Sequence, residues 1–173
     1  SAISELNKEG MEGLVIDLRD NPGGLLDVTC EMLDRMIKKG LLVYTVDKYG
    51  KRVDEDATDS DSFDKPVAIL VNGNSASASE VFSGAMKDYK AATLVGTKTF
   101  GKGIVQSIVP FGDGTAMKVT VSKYYTPNGV NIHGTGIEPD VVVELSKDAT
   151  KNGKYDRKYD NQLTKALDVV VDK

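Results

Sequence analysis

Hydrophobic positions along this chain fall into short blocks of two kinds, separated by glycine-, proline- and asparagine-rich turns. The first kind is a brief continuous apolar run, the pattern of a strand buried on both faces. Residues 13–18 (Gly-Leu-Val-Ile-Asp-Leu) and 66–71 (Pro-Val-Ala-Ile-Leu-Val) have it, as do 41–46, 92–95 and 141–145. The second kind spaces apolar residues by three and four, the signature of a helix with one buried face. Leu26, Cys30, Leu33, Met36 and Ile37 follow this rule, and Gly40 supplies a stop signal. Residues 78–89 follow it through Val81, Phe82, Ala85 and Met86, and residues 161–171 form a closing helix. Residues 104–109 and 117–125 read as extended. Turns are expected at 20–24, 48–51, 72–74 and 126–129, where Asn, Pro and Gly cluster. The acidic stretch 54–64 reads as a solvated loop, and 146–158 as a polar connection. Strands alternating with helices predict a layered α/β domain covering residues 1–173.

Composition narrows the function classes. Lys and Arg total 22 against 26 Asp and Glu, a net charge of −4, which argues against nucleic acid as a partner. The single cysteine, Cys30, excludes an internal disulfide. No apolar run approaches the roughly 20 residues of a membrane span. The chain shows no signal peptide and begins at Ser1 rather than Met, so it reads as an excised piece.

Candidate chemistry gathers around residues 75–80 and 96–106. Ser77 and Glu80 fit a capping box at the start of the helix over 78–89. The same placement suits a nucleophile, because the free N–H groups of a helix start stabilise a developing oxyanion. Such a serine needs a base. His133, the only histidine, lies in a glycine-rich loop, and the G-x-S-x-G elbow pattern is absent around Ser77. Lys102 is the other candidate. Its neighbours Phe100, Gly101, Gly103, Ile104 and Val105 are small or apolar, surroundings that favour a neutral lysine. Residues 96–103 come close to a phosphate-binding P-loop. However, Gly103 stands where a Ser or Thr would hold the metal, and β-branched residues follow where a helix is required.

Four segments together resemble the carboxyl-terminal processing (tail-specific) serine proteases. They are Asp17-Leu18-Arg19-Asp20-Asn21-Pro22-Gly23-Gly24, then Ser75-Ala76-Ser77-Ala78-Ser79-Glu80, then Gly96 through Gln106, then Gly136-Ile137-Glu138-Pro139-Asp140. The resemblance implies a fold of the ClpP/crotonase-like type and a Ser–Lys dyad, with Ser77 as nucleophile and Lys102 as base. It further implies that Gln106 supports the lysine, that the amides of Gly24 and Ala78 form the oxyanion hole, and that Glu80 is a supporting polar residue. Neither metal nor cofactor is implied. The implied partners are protein or peptide C-terminal tails, and the implied setting is extracytoplasmic: periplasmic, cell-surface or secreted. The PDZ domain that usually accompanies such a core is not evident. The competing expectation is a non-catalytic binding domain of the same fold, which the presence of both Ser77 and Lys102 disfavours.

Overall fold

A computed structural model describes residues 2–58 and 62–172. In chain order the elements are α1 (Ala2–Lys8), β1 (Leu14–Asp17), α2 (Leu26–Asp34), β2 (Leu41–Asp47), β3 (Arg52–Asp56), β4 (Val67–Val71) and α3 (Ala78–Asp88). There follow β5 (Thr93–Gly96), β6 (Ile104–Pro110), β7 (Ala116–Tyr125), β8 (Val141–Val142) and α4 (Asn161–Val171). The strands form two four-stranded sheets. One is parallel, in the order β1-β4-β5-β8; the other is antiparallel, in the order β3-β2-β7-β6.

The parallel sheet carries the core on both faces. Every residue of β4 is buried, and they divide by alternation, as a two-residue strand period requires. Val67, Ile69 and Val71 join Leu33 of α2 and Phe82 and Met86 of α3. Ala68 and Leu70 join Val95 and Ala166 of α4. Continuous apolar strands of this kind need cover on both sides, and α2, α3 and α4 supply it. Because β1, β4 and β5 are adjacent and parallel, their carboxyl ends open at one edge of the sheet. The loops 18–25, 72–77 and 97–103 all leave from that edge, the position where open parallel sheets bind ligands.

The structure departs from the sequence reading in four places. Helix α1 was not expected, and none of its residues is fully buried. Helix α2 ends at Asp34, although Met36 and Ile37 still bond back to Leu33 and stay buried. The predicted acidic loop at 54–64 begins as β3, all five residues of which are exposed. Its charged side chains suit an edge strand, where charge discourages pairing with other chains; Asp59, Ser60 and Asp61 lie outside the described residues. Strand β8 stops at Val142 rather than Leu145. Beyond it the chain turns to α4: Ser146 N–H donates to Asn161 (2.8 Å), and the Asn161 amide donates to the Glu144 carbonyl (2.8 Å). Among the described residues no helix is long and apolar enough to cross a membrane.

Candidate active site

The first two loops are laced together. Asp20 adopts φ 58°, and its N–H donates to Asn72 Oδ1 (3.0 Å). Its carboxylate accepts from the side-chain amides of Asn74 (2.8 Å) and Asn72 (3.0 Å), bonds that hold it below the usual carboxylate range. Buried Ser75 donates its hydroxyl to the Leu18 carbonyl (2.7 Å). The Asn21 carbonyl accepts from Ala76 N–H (3.0 Å) and Ser79 Oγ (3.1 Å). Gly23 lies so close to the loop carrying Ser77 that an added Cβ would sit 2.6 Å from the Ala76 carbonyl and 2.7 Å from Ala78 N. Glycine is required there twice over, because φ is also +94°.

Ser77 occupies a strained turn at φ 57°, ψ −117°, directly before α3. Non-glycine residues avoid this region and hold it where the surrounding structure imposes it, commonly at active sites. The capping box is lopsided. The Glu80 carboxylate accepts Ser77 N–H at 2.9 Å. Ser77 Oγ, in contrast, faces the Glu80 amide without a cap bond of ordinary geometry, and that amide donates to the Ser77 carbonyl at 2.8 Å. The Ser77 side chain is half-buried and makes no hydrogen bond of ordinary geometry among the described residues. Within the described residues, the amides of Gly24 and Ala78 donate no hydrogen bond, as donors reserved for a ligand would behave.

Glu80 organises the rest. It is fully buried and accepts four hydrogen bonds. Oε1 takes the Thr99 hydroxyl (2.6 Å) and Gly101 N–H (2.7 Å); Oε2 takes Ser77 N–H (2.9 Å) and Lys102 N–H (2.8 Å). One oxygen therefore bridges the backbones of Ser77 and Lys102, placing their amide nitrogens within two hydrogen-bond lengths of each other. Four donors satisfy a carboxylate that burial would otherwise penalise. Thr99 passes the link on, accepting Ile137 N–H at 2.7 Å.

The loop at 131–136 backs the lysine segment. Gly134 N–H donates to the Gly101 carbonyl (2.9 Å), and an added Cβ on Gly103 would meet His133 N at 2.5 Å. The His133 side chain is exposed, so its segment contributes backbone packing. Lys102 is half-buried, and its Nζ has no hydrogen-bond or ion-pair partner among the described residues. Gln106 lies on β6 beside a register shift, with its amide 3.4 Å from Thr120 Oγ1 of β7.

A cleft of about 190 Å³ adjoins Gly24 and Ala78 and is lined by Leu18, Leu25, Val28, Met32 and Phe82. Burial pushes the Cys30 thiol up to about 11, which keeps it protonated near neutral pH. Among the described residues no cluster of His, Cys, Asp or Glu is grouped to hold a metal ion. The sequence reading gives Thr99 no role and names Asn21 and Gly23 only as part of the 17–24 segment. The paired glycines at 101, 103, 134 and 136 were the available signal that two backbones approach closely.

The model of Peptidase family S41 matches residues 1–143. A "Probable CtpA-like serine protease" of Staphylococcus epidermidis is 47% identical over 173 residues, which is 98% of this chain and 35% of the relative. Its Staphylococcus aureus counterpart is 47% identical over 150 residues, 84% of this chain and 30% of the relative. This chain thus spans about a third of the length of the curated relatives it matches. The solved photosystem II D1 C-terminal processing protease superposes with a TM-score of 0.76 at 42% identity, covering 83% of this chain and 37% of its own. Mature CPAF superposes at 0.80 but is 17% identical, a likeness of fold alone.

Proposed function

The chain belongs to peptidase family S41, and from that membership we propose that it is the catalytic core of a serine endopeptidase working through a Ser77–Lys102 dyad. The observation that carries the reading is the shared Glu80 oxygen, which fixes the backbones of both residues against each other. In the reaction, neutral Lys102 removes the Ser77 hydroxyl proton as Oγ attacks the scissile carbonyl carbon. The carbonyl oxygen becomes an oxyanion held by the amides of Gly24 and Ala78. The resulting lysine ammonium then returns its proton to the leaving amine, and an acyl-enzyme remains. Lys102 next takes a proton from water, whose oxygen attacks the ester carbon; Ser77 recovers the proton as the new carboxylic acid departs. Gln106 supports the lysine, and the β6 register shift is the kind of feature that re-aims side chains beside active sites.

The apolar cleft beside the oxyanion amides receives the side chain on the acyl side of the scissile bond. The substrates are protein C-terminal tails, the setting is extracytoplasmic, and the layering is of the ClpP/crotonase-like type. Residues 1–173 form a single protease core domain. The test is Ser77→Ala: cleavage of a protein substrate disappears while the far-ultraviolet circular dichroism stays that of the parent. Persistent cleavage by a pure Ser77→Ala sample would remove the nucleophile assignment.

A further inference from the structure

Arg19 lies two residues beyond β1, at the start of the loop that carries Gly24, and its side chain is anchored in the far C-terminal segment. Its guanidinium side chain is 9% exposed and faces Asp160, whose side chain is wholly buried. One terminal nitrogen donates to Asp160 Oδ2 (2.8 Å) and the other to Gln162 Oε1 (3.0 Å). Asp17 takes the remaining contacts, from Nε (3.0 Å) and the first terminal nitrogen (2.6 Å). Asp160 does three things at once. Oδ1 caps α4 by accepting Leu163 N–H (2.8 Å), while Oδ2 accepts both Arg19 and the Tyr155 hydroxyl (2.8 Å). Gln162, also buried, donates to the Val143 carbonyl (2.6 Å).

The loop beyond Arg19 is fixed on its other side to the nucleophile loop, through Asp20, Asn21 and Gly23 as described above. The segment carrying the Gly24 amide is therefore held from both sides, with α4 as one of its two supports. Asp160 and Gln162 lie beyond residue 143, where the family match ends. Burial alone would weaken the charges of this pair. The bonds to Asp17 and Asp160 nevertheless hold Arg19 protonated, and those from Arg19, Leu163 and Tyr155 hold the Asp160 carboxyl below its ordinary value. An ion pair of this kind leaves an uncompensated buried charge when one partner is removed.

We propose that Asp160 is a positioning residue for the oxyanion loop, acting through Arg19 to hold the Gly24 amide in register with the Ala78 amide. The proposal rests on the serine peptidase reading. It requires α4, which touches none of the reacting atoms, to set the rate of the chemical step. A loosened oxyanion donor weakens binding of the transition state more than binding of substrate. Loss of the clasp therefore lowers kcat and leaves KM nearly unchanged.

The variants that separate this role from simple stability are Asp160→Ser and Ala166→Gly. Serine still caps α4 but is too short to reach Arg19. Ala166→Gly weakens α4 in its buried middle without touching the clasp. Both are measured at a temperature where each is folded, by steady-state cleavage and by peptide-level hydrogen exchange over residues 18–25. Asp160→Ser is expected to lower kcat at least tenfold with KM within about twofold, and to speed exchange of the loop at least tenfold; Ala166→Gly changes neither. Unaltered kcat or unaltered loop exchange in folded Asp160→Ser overturns the proposal, as does an equal kcat loss in Ala166→Gly. Failure of the function reading looks different: parent cleavage insensitive to Ser77→Ala, whatever the loop exchange reports.

Discussion

At position 77 a serine holds backbone angles that cost a non-glycine residue about 1–3 kcal/mol, and the atoms around it explain why it stays there. Glu80 grips its amide, and Gly23 fills the space behind Ala76 and Ala78. The two neighbouring glycines therefore have opposite tolerances. At Gly23 φ is +94° and a Cβ would strike backbone atoms at 2.6 and 2.7 Å. At Gly24 no atom stands within 4 Å and φ is not in the left-handed region. Gly23→Ala is expected to destabilise the fold by about 1–3 kcal/mol and to depress turnover, because relief of the clash must displace Ala78 N. Gly24→Ala stays within about 0.5 kcal/mol of the parent. Chemical denaturation of the two variants checks this, and equal stabilities would contradict the close approach.

At the scale of elements, the junction between α3 and the loop after β5 depends on one carboxylate. Glu80 Oε2 faces two backbone N–H donors, and an amide nitrogen placed there would oppose both. Glu80→Gln is expected to cost about 2–4 kcal/mol, as lost bonds to a charged acceptor do, with turnover falling in the variant that remains folded. A denaturation midpoint equal to the parent's would show that the bridge is not needed. This junction also marks how far the sequence was legible. Apolar runs and helical spacing gave β1, β4, α3 and α4 nearly to the residue, because burial on a regular element writes a period into the chain. The capping box placed Ser77 next to Glu80 for the same local reason. Strand β3 was missed because an edge strand with exposed side chains carries no apolar period. The true reach of Glu80, to Thr99, Gly101 and Lys102, was missed because it spans about 20 positions of sequence. Only the fold closes that gap, by setting β4 beside β5.

On the scale of the whole molecule, three separated motifs converge because three adjacent parallel strands end at one edge, and α4 clasps that edge from behind. The clasp gives the fold an acid limit. Asp160 is held below its ordinary carboxylate value of 3.8; burial works against this, but the bonds from Arg19, Leu163 and Tyr155 prevail. A carboxylate depressed in the folded state stabilises above its unfolded value, and that contribution is lost as pH falls through its folded value. Acidification from about pH 5 to pH 3 should therefore destabilise the parent more than Asp160→Asn; parallel pH profiles would contradict this. Activation of Ser77 by Lys102 is tested by the rate at which a serine-directed fluorophosphonate labels Ser77 across a pH series. In Lys102→Arg labelling is at least about 100-fold slower than in the parent at every pH of the series, because arginine stays protonated and takes no proton from Ser77. Equal labelling of parent and Lys102→Arg would take the lysine out of the mechanism.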